Sequence, residues 1–419
     1  MIEFDFYNSL NYWLVLFVLV LILNFFLKKP LLQRYGFLLA NIFMLLALPN
    51  FGGDSLLILF VLTFYTFSIG WLLNKRGIVK NNGLRIAISL SSLIIIILVL
   101  ACFKYRLVLS IKGINRFFNE NNTSKDILLI GVSYFSFKMM HFIIASYKQG
   151  IKKPNLMIYL NYIFFFPSFI SGPINRYNHF CESFDSEKRT QFSRNLGLGG
   201  KRIVHGLFKR IVLVQILLPY VLTNLKKPID ELSIAEIIYG LYAYSFYFYF
   251  DFSGYTDLAI GCAQLLGVDL PENFNSPFLK RNIQQLWANW HISLTSWLMD
   301  YIYWPLVKKM RNFRMLKKRP ILLSNLCIIF TFVICGLWHG DGINFLLWGL
   351  YHGLGLSALN VYRAMKRRID NIKINRYFMS KYSFAIGIFL TFNFFSIGLL
   401  LFALDIKTIK LLFNGKLFL

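Results

Sequence analysis

The sequence predicts an all-α polytopic membrane protein of about 11 spans, with further re-entrant or interfacial helices. Three observations predict it. Of the 419 residues 57% are hydrophobic and only 15% charged, too apolar for a soluble domain of this length. Long apolar runs recur from one end to the other. The formal net charge of +26 is carried by Lys and Arg in short links between those runs. In a soluble chain such a charge points to nucleic acid. Placed in the links it is the positive-inside pattern, so no nucleic-acid partner is expected and the partner is membrane lipid.

The apolar runs fall at 12–27, 35–48, 55–73, 86–103, 127–146, 156–171, 203–224, 233–250, 255–268, 321–338, 342–362 and 383–404. A span needs about 20 apolar residues, so the shorter runs are expected to be tilted or re-entrant. The N-terminus is acidic and no small-residue cleavage site follows the first run, so the first helix is expected to stay. Basic links at Lys28, Lys29 and Arg34, at Lys75 to Arg85, at Lys308 to Arg319 and at Arg363 to Lys381 are assigned to the cytoplasm. That puts the N-terminus and the turn around Asp54 outside. Lys104 and Arg106 then fall on the wrong side, which makes 104–126 an expected interfacial helix. The stretch from Glu182 to Arg202 reads as the longest soluble-looking link. The whole chain is expected to form one membrane domain, with peripheral helices over 1–126, the core over 127–362, and a link and last helix over 363–419.

The runs at 321–338 and 342–362 lie between two strongly basic links. The turn joining them, Trp338-His339-Gly340-Asp341-Gly342, is therefore expected at the far end of a helical hairpin, toward or beyond the bilayer middle. Polar groups at membrane depth are costly, which makes them candidates for function. His339 stands out, an ionisable residue in a Gly-flanked turn between two long apolar helices. His291 follows, with Trp287, Trp290 and Trp297 at helix-compatible spacing and Ser293 and Asp300 as polar companions. His141, His205 and His179 read as structural, since one backbone partner satisfies a neutral imidazole.

A histidine in a partly desolvated site can take a proton from an acceptor hydroxyl, because its pKa lies near working pH. An acyl thioester asks for little beyond such a base and a donor for the oxyanion, since thiolate leaves without a strong acid. There is no G-x-S-x-G elbow, no phosphate-binding Gly-Lys loop and no paired metal-ligand motif, so serine-hydrolase, nucleotide-driven and zinc mechanisms lose support. The five cysteines lack the spacing of a disulfide framework or zinc site.

Four stretches complete the pattern: 166–180 (FPSFISGPINRYNHF), 249–261 (YFDFSGYTDLAIG), 281–301 (RNIQQLWANWHISLTSWLMDY) extended through Tyr303 and Pro305, and 336–353 (GLWHGDGINFLLWGLYHG). Together, and in this order, they resemble the bacterial proteins of the membrane-bound O-acyltransferase family. The resemblance implies a many-helix fold around a central tunnel, with His339 as the catalytic histidine and His291 as the second family histidine on the donor side. It implies a cytoplasmic acyl donor, acetyl-CoA or another acyl thioester, with no tightly bound cofactor. The acceptor is a surface glycan or a separate extracytoplasmic transferase, met from the other side. The text from Asp251 through Asn273 and Asn275 to Trp290 looks most like the alginate and peptidoglycan acetylases. The modest length looks more like the teichoic acid D-alanyl transfer protein.

Acetyl transfer leads in this reading and D-alanyl transfer follows. Ala288 and Asn289 stand where the alginate-type proteins have basic residues, and Asp341 stands where a small residue is usual. Trp290, Trp338, Tyr303, Asp300, Asp251 and Asn344 are candidates for the tunnel wall, Arg176 for holding an anionic group, and Asp341 for orienting His339. Two other classes remain open. A flippase or channel for a lipid-linked glycan also needs a polar tunnel but not two such histidines, and a scaffold needs neither.

Overall fold

The computed structural model describes residues 10–23, 30–48, 53–75, 78–105, 124–151, 154–184, 192–366 and 381–413. Lys28, Lys29 and Arg76, most of the 104–126 stretch and most of the 363–381 link lie outside the described residues. Where described, the chain is helical, interrupted by turns and one isolated antiparallel bridge.

Helices α1 (Leu10–Leu21) and α2 (Pro30–Leu46) are short and apolar, α2 opening on a proline whose missing N–H lies where no helical bond is lost. They lead into α3 (Gly53–Asn74), α4 (Asn82–Tyr105) and α5 (Ser124–Tyr147). α3 and α4 carry segments long and apolar enough to cross a membrane, and both pack on α5. Their outer faces hold exposed Leu57, Val61, Ile94 and Leu98, as a lipid-facing helix requires. α5 is buried on every side from 131 to 143.

α6 (Leu156–Phe164) is capped by Asn155, whose side chain accepts from Ile158 N–H at 3.1 Å. The 156–171 run breaks after Phe164, in keeping with a re-entrant segment, and a 3-10 turn and loop lead to α7 (Tyr177–Phe184). Two polar groups of α5 fasten that loop. Lys138 Nζ donates to Tyr162 O at 3.1 Å and Ser168 Oγ at 2.9 Å. His141 Nε2 accepts from Tyr177 N–H at 3.0 Å, the structural role its sequence context suggests.

The soluble-looking link is corrected in its second half. Residues from Phe192 form α8 (Phe192–Leu207), which runs on through a π-helical turn (Phe208–Leu213) into α9 (Val214–Leu217), and 194–220 is itself long and apolar enough to span. The runs at 233–250 and 255–268 are likewise one helix, α10 (Ile234–Leu265) of 32 residues. It opens on a capping box in which Ser233 and Glu236 bond each other's amides. Paired carboxylates explain both corrections. Arg202 meets Asp257 at 2.6 Å and Arg210 meets Asp251 at 3.2 Å, so neither charge breaks its helix. Gly199 and Gly206 lie where a Cβ would stand 2.8 Å from the carbonyl oxygens of Gly261 and Gly254, letting α8 and the end of α10 touch backbone to backbone.

Short helices follow: α11 (Ile283–Trp287), α12 (Ile292–Leu298), a π-helical turn over Met299–Tyr303, α13 (Trp304–Met310) and α14 (Arg314–Lys317). Then α15 (Pro320–His339) and α16 (Ile343–Lys366) form the expected hairpin, the most extensive helix pairing described. A Cβ on Gly336 would meet Phe345 O at 2.2 Å, and one on Gly349 would meet Phe332 O at 2.3 Å, so small residues set the approach. α17 (Lys381–Ala403) packs on α16, and α18 (Ile406–Phe413) ends the described chain.

Among the described residues five segments are long and apolar enough to cross a membrane: 56–74, 82–104, 194–220, 320–339 and 383–403. The chain is a multi-pass membrane protein. It divides into two compact units, Met1–Leu207 with Gly254–Pro271, and Phe208–Ser253 with Glu272–Leu419. The loop held by Lys138 and His141 belongs to the first, the α15–α16 hairpin to the second.

Candidate active site

Within the second unit one cavity of about 60 Å³ is lined by both singled-out histidines, His291 and His339, and by a near-continuous aromatic wall that includes Phe248, Trp287, Trp290, Trp348 and Phe402. The residues that build it come from α10, α11, α12, α15, α16 and α17.

His339 is the last residue of α15, followed by Gly340 in extended conformation. It is half-buried, and its ring is held edge-on by Trp348 at 5.1 Å and Phe402 at 5.0 Å. A helix end leaves the side chain on the rim rather than on a packed face. The two glycines let the turn pack closely on the start of α16: a Cβ at 340 would strike the Phe345 ring at 2.1 Å, and one at 342 would strike Asn344 Oδ1 at 2.1 Å.

His291 is sealed, 3% exposed, with Phe252 edge-on at 4.8 Å. The sequence pattern around it suggests a continuous helix; the structure breaks it. α11 stops at Trp287, and His291 adopts a left-handed conformation (φ 43°, ψ 53°) as the N-cap of α12. A non-glycine residue there is strained and must be held by its surroundings. The hold comes from the 273–275 strand-like segment. Phe274 bridges Trp290, Asn275 N–H donates to Asn289 O at 3.1 Å, and Ile292 N–H donates to Asn273 O at 3.0 Å. Asn273 Oδ1 also accepts from the Ser293 amide at 3.2 Å and its hydroxyl at 2.6 Å.

Trp338 joins the two histidines, its ring 6.5 Å from that of His291 and 4.7 Å from that of His339. Trp290 packs between Phe278 and Phe395 beside the cavity. The remaining candidates lie elsewhere. Asp251 pairs with Arg210 and is not a wall residue, although Phe248 and Phe252, on the same helix, are. Asn344 Nδ2 donates to Leu401 O at 3.1 Å, tying α16 to α17. Tyr303 OH bonds Ser324 Oγ at 3.0 Å, anchoring the π-helical turn to α15. Asp300 and Asp341 are exposed, and Arg176 is half-buried in the first unit.

Sequence reasoning missed Asn273 as the clamp of His291, and it missed His352. That ring is fully buried and surrounded by Trp287, Trp348, Phe394 and Phe395. The signal available was its place in the 336–353 stretch, about three turns of helix beyond the His339 turn on α16. Among the described residues no three His, Cys, Asp or Glu side chains are placed to share a metal ion.

The profile of the membrane-bound O-acyltransferase family matches residues 86–401. The chain is 30% identical over 282 residues to the teichoic acid D-alanyltransferase of Bacillus subtilis (strain 168), covering 66% of this chain and 69% of that one. It is 32% identical over 269 residues to the peptidoglycan O-acetyltransferase of Helicobacter pylori, covering 58% of this chain and 49% of that one. It is 28% identical over 344 residues to a probable alginate O-acetylase of Pseudomonas aeruginosa, covering 79% of this chain and 64% of that one.

Proposed function

Because the chain belongs to the membrane-bound O-acyltransferase family, we propose that it moves a small acyl group, acetyl first, from a cytoplasmic thioester to a hydroxyl of a cell-surface polysaccharide or of a partner transferase. The observation that carries this reading is the pairing of a rim histidine and a sealed histidine on one aromatic cavity. His339, half-open at the helix end, is placed to take the proton of an incoming hydroxyl. His291, buried and held by the Asn273 clamp, is assigned in this reading to the donor side. The aromatic wall excludes water, which would otherwise compete for the thioester. In this reading the acyl thioester, acetyl-CoA or an acyl carrier protein thioester, is a substrate, and the reaction calls for no tightly held cofactor.

Identity does not choose the acyl group, since the D-alanyltransferase and acetylase relatives match at 28–32% alike. The cavity favours acetyl, because none of its lining residues is Asp or Glu to pair with the ammonium of a D-alanyl group. One observation favours the second reading. The D-alanyltransferase matches over more of its own length than either acetylase does.

The test supplies membranes with labelled acetyl-CoA or with a D-alanyl carrier thioester, comparing the native chain with His339→Ala. The expected result is label passing to glycan or partner from acetyl-CoA only, with a loss of at least about 10²-fold in the variant. Transfer from the D-alanyl carrier alone promotes the second reading. Transfer that is indifferent to His339 sinks the catalytic assignment.

A further inference from the structure

The reaction asks for one group that the two histidines do not supply: a donor for the charge that builds on the carbonyl oxygen as the hydroxyl adds to the thioester. Around the cavity, five polar atoms are buried with no hydrogen-bond partner among the described residues: Trp287 Nε1, Trp348 Nε1, His291 Nε2 and both ring nitrogens of His352. Buried polar groups are nearly always paired, so each calls for an explanation.

The two indoles are distinctive. An indole N–H can only donate, whereas an imidazole nitrogen donates or accepts according to tautomer. Both side chains line the cavity, and they are 7% and 3% exposed. The hydroxyls that line it are already engaged, Thr331 with Cys327 O at 2.7 Å and Thr295 with Trp290 O at 3.2 Å. Trp348 stands edge-on to His339 at 5.1 Å, and Trp287 stands edge-on to Trp348 at 5.7 Å. Behind them the His352 ring wedges against both indoles, at 5.0 Å from Trp287 and 4.9 Å from Trp348. The space for that ring exists because residue 398 is glycine, where a Cβ would lie 2.6 Å from His352 Nε2.

We propose that Trp348, with Trp287 beside it, is the oxyanion donor of this site. This rests on the reading of His339 as the base. The acceptor oxygen forms a bond to the acyl carbon while its proton passes to His339. The carbonyl π pair moves onto the oxygen, which accepts the indole N–H. When the oxyanion collapses, the C=O bond reforms, the C–S bond breaks, and the thiolate departs with the proton held by His339. The two indoles are already buried and packed in place before substrate arrives, and a donor held in advance acts more strongly than one that must be ordered during the reaction.

The test replaces Trp348, and separately Trp287, by benzothienylalanine, which keeps the ring shape and puts sulfur in place of the N–H. Trp348→Phe serves as a second variant. Transfer from acetyl-CoA is followed over a range of pH, with thermal unfolding in detergent measured alongside. Expected is a fall in kcat of about 10²–10³-fold for the isostere at 348, a nearly unchanged KM for the donor, an unmoved pH midpoint and no loss of thermal stability. A packing role predicts a lowered unfolding temperature, and that outcome, or native kcat in the isostere, overturns the proposal. A native chain inactive with every thioester removes the functional reading and this inference with it; an active native chain beside an equally active isostere removes this inference alone.

Discussion

Asn273 shows how a single buried side chain can set the position of a histidine on a cavity wall. Its Oδ1 takes two bonds from Ser293, and its own carbonyl takes the Ile292 amide, so the two residues that follow the strained His291 are pinned. Asn273→Ala leaves the Ser293 amide without its acceptor and is expected to cost about 1–3 kcal/mol. Asn273→Asp keeps the acceptor and should recover most of that in thermal unfolding. If both variants unfold with the native chain, the clamp is not what holds the turn. Asp341 makes the opposite case. Its carboxyl is exposed at the hairpin tip, so Asp341→Asn is expected to change transfer by no more than about twofold, the range of ordinary surface substitutions. The two histidines were legible in the sequence because an ionisable residue among apolar neighbours is costly wherever it sits. Asn273, Trp348 and His352 were not, because all three are set apart by burial, the first by the bonds it makes and the other two by bonds left unmet. An asparagine or tryptophan in sequence looks the same whether paired or not.

At the scale of elements the α15–α16 hairpin was legible from charge and length alone, because two basic links fix both of its ends on one side. Its tightness was not. Gly336 and Gly349 each bring one helix backbone against the carbonyls of the other, and Ala at either position is expected to destabilise by about 1–3 kcal/mol through overpacking. Gly197 is the control within the same molecule. It lies in α8 with nothing within 4 Å of a built Cβ, so Gly197→Ala should stabilise by about 0.5–1 kcal/mol. Unfolding temperatures that move together for 336, 349 and 197 would remove the packing argument. The helix breaks were misread where a pairing partner lay far away in sequence. Asp251 looked like the end of a run until Arg210 answered it, and the Trp spacing around His291 looked helical until Phe274 bridged Trp290. Element ends also carry the pH response. The Asp405 carboxyl caps α18 by accepting Thr408 N–H at 2.8 Å, which holds it below the usual carboxylate range. Because its folded value is the lower one, the cap contributes fully above the ordinary range near about pH 4 and is lost only as pH falls below that, through the depressed value. Amide exchange in α18 should therefore quicken in acid, and Asp405→Asn, which does not titrate, should flatten that dependence.

For the molecule as a whole, composition and the placement of 45 Lys and Arg were enough to name a multi-pass membrane protein, and four short stretches were enough to name the family. The number of spans was not legible in the same way, since broken helices and one of 32 residues do not map one run to one crossing. Orientation, however, follows from a length that can be measured. α15 has 20 residues, and at 1.5 Å each it extends about 30 Å, the thickness of the hydrocarbon core. Its N-terminal end adjoins Lys308 to Arg319, seven cations without an anion, and its C-terminal end carries His339. The cations are expected in the cytoplasm, so the His339 turn is expected to face the other side. Met315 is 76% exposed and Asp341 lies at the exposed tip, which makes both suitable reporters. With the partly accessible Cys102 and Cys181 changed to Ser, an impermeant thiol reagent should label Met315→Cys only in inside-out vesicles and Asp341→Cys only in right-side-out ones. Labelling of both from one side would mean that α15 does not cross. Labelling with the two sides exchanged would keep the hairpin but turn the protein over, putting the thioester donor on the wrong face for the proposed reaction.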